Sequence, residues 1–357
     1  MKLHSTLAVS AAALTLVAGT AFAQDVWYPY PVESWSPAFD MASPRTTIDY
    51  TPLKAASQPW EICVSFPHMK DAYWLGVNYG VADEAERLGV KMQLVEAGGY
   101  TELNTQISQI EDCVAAGADA VVIGAISLDG LNNLVSEIRA EGIPVIDVIN
   151  GISSDELTAK SLVSFGEMGS QVGAFLADLY PEGADPVQVA WFPGPAGAGW
   201  VEAGNTGFLS AVEGSAVEVL DTRYGDTGRE AQANLVEDAL ETYPELDYIV
   251  GTAVTAEAAV PILRSRNMLG EVQILSYYYT PGVDTGIARG HILAAPTDSP
   301  VIQGRIAIDI AVRALEGEEY EQHVGPALRV VTQDNHADFD TATTLAPEGF
   351  SPIFRVE

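Results

Sequence analysis

Four apolar runs, EICVSF at 61–66, VKMQLV at 90–95, DAVVIGA at 119–125 and IPVIDVI at 143–149, each lead into a stretch with helical spacing. The theme resumes after residue 160, at 187–192, 217–222, 246–252 and 271–278. Strands apolar on both faces must be covered on both faces, so units of about 30 residues predict parallel sheets wrapped by helices. Two such sets predict two doubly wound α/β lobes. The segment from Thr101 shows the helical pattern well: Leu103, Ile107, Ile110 and Val114 recur on one face, with Thr101 as the expected N-cap and Gly117 as the stop.

In this architecture ligands bind beyond the carboxyl ends of the strands. The residues found there are Pro67 to Trp74, Glu96 to Tyr100, Ile126-Ser127, Asn150, Phe165, Gly194 to Trp200, Thr252-Ala253, Tyr277 to Tyr279 and Asp298. Many are aromatic, which is unusual for strand-end loops. Asp71 is placed to cap the helix that starts there, with Tyr73 and Trp74 in its first turn at the mouth of the cleft. Tyr79 belongs to the buried stripe of that helix instead.

Catalytic constellations do not emerge. His68, His291, His323 and His336 lack the spacing and companions of a zinc site, and there is no G-x-S-x-G, phosphate loop or H-E-x-x-H. The turn FPGPAGAGW at 192–200 departs from the dinucleotide fingerprint and reads as a glycine-rich turn that permits close backbone approach.

The N-terminus supplies the setting. Lys2, the apolar run Leu7 to Ala18 and the small-residue end at Ala21-Phe22-Ala23 form the pattern of a secretory signal, with the mature chain expected to begin at Gln24. Residues 24–59, rich in proline, tryptophan and tyrosine, suit an irregular arm better than a helix or strand. A formal charge of −32 argues against nucleic acid or anionic lipid as partners. Cys63 and Cys113 enter an oxidising compartment, so one disulfide is allowed, the alternative being two buried thiols.

The two-lobed pattern resembles the type I periplasmic binding proteins, the ribose-binding and LacI-like group. The stretches PHMKDAYWLGVNYG, LVEAGGYTELNTQISQIEDC, PGPAGAGW, GTAVTAEAA and LAPEGFSP are similar to those of its sensory members, which report trimethylamine N-oxide to a membrane histidine kinase. The resemblance covers residues 51–354 and includes both cysteines. It implies two doubly wound parallel-sheet lobes joined by three crossovers: 60–160 with 299–322, and 161–298 with 323–357. It also implies a receptor that needs no cofactor or catalysis, signals to the periplasmic domain of a sensor histidine kinase and thereby induces a reductase operon. A transport role, feeding a sugar or amine to an ABC transporter, is the alternative.

Trimethylamine N-oxide presents three methyl groups around a positive nitrogen, which aromatic faces attract, and an oxide that needs donors. The expected cage is Tyr73, Trp74, Tyr100 and Tyr278, with Phe165 as a further wall where the resemblance implies a larger Trp. Asp71 is expected near the positive end, and Asp298, at a crossover, as a weaker polar contact. Tyr278 stands where sugar-binding relatives carry an acid, which disfavours a sugar; Tyr277 and Tyr279 are expected in the core. Trp74, lying in the cleft, is expected to matter more to affinity than to the fold. The arm before residue 51 is left free to cover a groove, meet the kinase or pair with a second copy.

Overall fold

A computed structural model describes residues 26–357; the signal segment and its cleavage point lie outside them. The chain opens with strands β1 (Tyr30–Trp35), β2 (Arg45–Tyr50) and β3 (Glu61–Phe66), then runs α1 (Ala72–Leu88), β4 (Lys91–Glu96), α2 (Leu103–Ala115), β5 (Ala120–Ile123), α3 (Asn132–Ala140), β6 (Val145–Val148) and β7 (Ala159–Ser161). It continues as α4 (Phe165–Leu179), β8 (Val187–Gly194), α5 (Gly199–Val212), β9 (Val217–Tyr224), α6 (Arg229–Thr242), β10 (Tyr248–Gly251), α7 (Ala253–Ser265), β11 (Gln273–Ser276), α8 (Pro281–Ala288) and β12 (Ala294–Thr297). Helix α9 (Pro300–Glu316), β13 (His323–Pro326), β14 (Arg329–Thr332) and β15 (Arg355–Val356) complete it.

All eight expected strands form, in two sheets. The first has nine strands in the order β15-β4-β3-β5-β6-β7-β13-β1-β2, the second four in the order β11-β10-β8-β9, and β12 pairs with β14 alone. Strands β3 to β7 pair in parallel, as do β8 to β11. In the inner strands β3, β5, β6, β8 and β10 the side chains are buried on both sides, which is why the sequence shows continuous apolar runs there, whereas β4 and β9 nearer the sheet edges are partly exposed. The chain leaves the first sheet after Ser161, comes back to it at β13 by way of α9, and rejoins it at β15 after β14 has paired with β12.

Three local readings change. Residues 30–35 and 45–50 are strands, not irregular arm: β1 pairs antiparallel with β2 on one side and β13 on the other. Pro31 lies near the start of β1, opposite Asp49 of β2 and before the register with β13, which starts at Val32. Trp35 and Tyr50 are buried against the first lobe, so the arm packs on its own chain rather than standing free for a second copy. At the other end, β13 and β15 both join the first sheet, so residues 323–326 and 355–356 lie with the first lobe and not the second. Helix α2 is capped by Glu102 rather than Thr101, without a side-chain cap bond; Thr101 donates its hydroxyl to Glu102 instead.

Helices α1 and α9 cross at close range behind the cleft. A Cβ at Gly80 would lie 2.2 Å from the Val301 carbonyl oxygen, so only glycine permits this approach. Cys63 on β3 and Cys113 on α2 are joined by a disulfide, which holds α2 against the first sheet.

Candidate functional site

The start of α1 organises one wall of the cleft. Asp71 has the extended backbone of an N-cap, and its Oδ1 accepts from Trp74 N at 3.2 Å. That bond satisfies a helix-end donor and fixes the turn that projects Tyr73 and Trp74. Tyr73 donates its hydroxyl to Asp298 Oδ2 at 2.6 Å, and its ring meets Tyr278 edge-on at 5.2 Å. Trp74 packs against Phe66 at 4.7 Å and is 2% exposed. Tyr100 is oriented by Asn150, whose Nδ2 donates to the Tyr100 hydroxyl at 3.0 Å and to Ala125 O at 2.7 Å.

The second lobe supplies the facing wall. Trp200 lies 5.9 Å from Phe165 and stacks on Tyr277 at 6.0 Å with 18° between the planes. Tyr277 donates to the carbonyls of Phe165 and Trp200, both at 3.1 Å, which ties these two wall residues together from behind. Gly194 allows this packing: it has φ 120°, and a Cβ there would lie 2.6 Å from the Trp200 ring. Tyr279 turns away to Asp284 and Phe339, and Tyr79 packs on Phe350 outside the cleft.

Between these walls lies a small, tightly closed cavity lined by Asp71, Tyr73, Trp74, Tyr100, Phe165 and Tyr278, as the strand-end reading expects. Asn150, Trp200 and Thr227 complete the lining. Asp298 does not reach it. Fully buried, it sits behind Tyr73 and accepts from both Tyr73 and Gln303, so it positions a wall residue instead of facing a guest. Since Asp298 stands at the crossover into α9, the cage and the hinge share a hydrogen bond.

The lobes also touch beside the cavity. His68 Nε2 and Thr227 Oγ1 are 3.1 Å apart, and Lys70 pairs with Asp226 at 3.7 Å. Burial, helped by Lys70, lowers His68 to about 4, so it makes this contact as a neutral ring. Burial also pushes the Asp71 carboxyl up to about 7, against the Trp74 amide that favours its ionised form. The hydroxyls of Tyr73, Tyr100 and Tyr278 are shifted upward by burial as well, which keeps them protonated. Among the described residues, the buried Trp200 Nε1 makes no well-formed hydrogen bond, although it lies close enough to the Tyr100 hydroxyl to moderate that group's upward shift.

The Asp71 shift has a sign that can be tested. A carboxyl held at about 7 in the folded protein, against about 4 unfolded, makes the free protein lose stability as pH rises through that interval. A ligand that places positive nitrogen beside Asp71 reverses this by favouring the carboxylate. Its affinity should therefore rise about tenfold between pH 6 and 8. Asp71→Asn, which keeps a capping side chain, should flatten the titration profile. Affinity that falls with pH would instead show the neutral carboxyl donating to the ligand.

Among the described residues no group of three His, Cys, Asp or Glu gathers to hold a metal, and no helix is long and apolar enough to cross a membrane. A family model for the periplasmic binding protein domain matches residues 62–319. Periplasmic protein TorT of Escherichia coli strain K12 is 36% identical over 304 residues, which span 85% of this chain and 86% of that protein. A solved ABC transporter solute binding protein from Bradyrhizobium sp. BTAi1, with bound bis-tris, superposes with TM-score 0.80 at 60% identity, covering 93% of this chain and 99% of that one. The complex of the TorS sensor domain with TorT in the presence of trimethylamine N-oxide matches with TM-score 0.76 at 34% identity, covering 83% and 99%. Two parallel-sheet lobes, a cleft at their strand ends and these matches agree: the chain belongs to the type I periplasmic binding protein family, with TorT among its relatives.

Proposed function

We propose that this chain is a periplasmic receptor whose interlobe cage takes trimethylamine N-oxide and reports it to the periplasmic domain of a sensor histidine kinase of the TorS kind, switching on a reductase operon. The observation that carries this reading is the cavity itself: aromatic rings from both lobes, a carboxyl at the rim and an indole N–H without a well-formed hydrogen bond. The rings attract the methylated nitrogen, each by about 0.5 to 2 kcal/mol. Trp200 Nε1 suits the oxide, because a buried donor left unmade costs about 1 to 3 kcal/mol. The TorT likeness supports the sensory role. The bis-tris held by the 60% identical protein supports an amine-type ligand, since bis-tris is a tertiary amine.

Signalling requires that ligand favour one lobe arrangement over another. Tyr73 offers the connection, since it faces the cage while bonded to Asp298 at the crossover. Closing the lobes on ligand would change the outer surface offered to the kinase.

A second reading, a solute-binding subunit of an ABC transporter, is favoured by the description of the Bradyrhizobium protein. Isothermal titration with trimethylamine N-oxide, alone and with the kinase periplasmic domain, separates the two. Saturable binding that is strengthened by the kinase domain is the expected result. Equal affinity with and without the kinase, and no association between the two proteins, would favour transport. Absence of heat in both titrations, with both proteins folded, would overturn the ligand assignment.

A further inference from the structure

Asp71 and Thr227 face two spaces. Besides the aromatic cage they line a second, roomier and more polar chamber, with Lys70, Arg229, Glu257 and Thr280 on its other walls. Helices α1, α6, α7 and α8 all begin around it, after Asp71, Gly228, Thr252 and Thr280. Their first N–H groups give this end of the chamber a positive bias, which the carboxylates of Asp71 and Glu257 offset. Glu257 is held in place by the Thr280 hydroxyl, which donates to its Oε1 at 2.5 Å. Burial pushes its carboxyl upward. The Gly282 amide in the first turn of α8 and the Arg229 charge favour its ionised form, so Glu257 braces the start of that helix while lining the chamber.

The chemistry of the walls limits what they can hold. Donors come from Lys70 and Arg229, acceptors from Asp71 and Glu257, and both kinds lie within reach of one space. An anionic arm would meet Asp71 and Glu257, and Lys70 is already engaged with Asp226 at 3.7 Å. A second cation would meet Lys70 and Arg229. A hydroxyl group, which both donates and accepts, fits this mixture best.

We propose that cage and chamber form one two-part site, and that the protein accepts methylated amines with a short hydroxylated arm, the head in the cage and the arm passing between Asp71 and Thr227. This deepens the receptor reading and rests on the cage holding a methylated nitrogen. Trimethylamine N-oxide then uses the inner part alone, while a hydroxyalkyl ammonium ion fills both parts.

The test compares three probes on the mature protein: trimethylamine N-oxide, tetramethylammonium, which has a head and no arm, and choline, which adds one hydroxyethyl arm. Choline is expected to bind about tenfold tighter than tetramethylammonium, the worth of about one hydrogen bond to a charged group. Glu257→Gln, with Arg229→Ala as a second variant at an exposed position, should shrink that ratio at least about fivefold, on proteins whose melting confirms they are folded. Choline binding no tighter than tetramethylammonium would overturn the chamber assignment, while binding of trimethylamine N-oxide would leave the cage reading intact. Tight choline binding with none for trimethylamine N-oxide would uphold the two-part site and overturn trimethylamine N-oxide as the ligand. If none of the three binds, both assignments fall.

Discussion

Trp74→Ala should weaken trimethylamine N-oxide binding by at least about tenfold and also cost about 3 to 5 kcal/mol of stability. The sequence places this ring in the cleft and expects the fold to tolerate its loss. The structure gives it two tasks. It lines the cage, but it also packs on Phe66, and it lies so close to the β5 end that a Cβ at Gly124 would meet its ring at 2.5 Å. Removing it therefore opens a void in the first lobe as well as the site. Trp74→Phe separates the two effects, because a smaller ring keeps much of the packing against Phe66 while giving up the indole face and its N–H. Thermal unfolding should show the Phe variant much nearer the wild type than the Ala variant, and titration well below its melting temperature should show affinity lowered several-fold. Unchanged affinity in a folded Trp74→Phe protein would return Trp74 to the core alone.

The overlap of packing and binding at Trp74 explains why parts of the site were legible in the sequence and others were not. Strand ends are local features: a run of apolar residues followed by a cap and a helical pattern locates them to within a residue or two. Asp71, Tyr73, Trp74, Tyr100 and Tyr278 stand in the roster that reading gives, the resemblance narrows the roster to them, and the structure brings them to one cavity with Phe165. Trp200 was visible in PGPAGAGW but was absorbed into the glycine-rich turn. Its role depends on Gly194 leaving room for its ring and on Tyr277, a long way along the chain, supporting it from behind. Thr227 lies past the end of β9, where register shifts in the β8–β9 pair blur the strand boundary. Asp298 stands at the crossover as the sequence expects but behind Tyr73 and outside the cavity lining, since which way a crossover side chain points is set by Tyr73 and Gln303. Proline density concealed β1 and β2, because proline counts say nothing of which N–H groups a sheet needs.

Cleaving the disulfide should be the largest purely structural effect. Cys63 and Cys113 are 50 residues apart in sequence, and closing a loop of that length removes about 4 kcal/mol of unfolded-state entropy in the chain-entropy account. A Cys63→Ala/Cys113→Ala protein should therefore unfold at clearly lower urea than the oxidised wild type, and reductant should shift the wild type but not the variant. Binding should respond much less. Helix α2 has a second anchor: Gln106 donates to Gly124 O at 2.9 Å and Ser65 Oγ at 3.2 Å, and accepts from Ile126 N at 3.0 Å. Those bonds join the ends of β3 and β5 beneath the cage without help from the sulfurs. Tyr100, just before α2, keeps its bond to Asn150 from a different strand end. Affinity of the folded double variant within a few-fold of wild type would assign the disulfide to stability and Gln106 to the architecture of the site. A collapse of affinity at temperatures where the variant remains folded would mean that the cross-link, and not the buried glutamine, holds α2 and Tyr100 in register with the cleft.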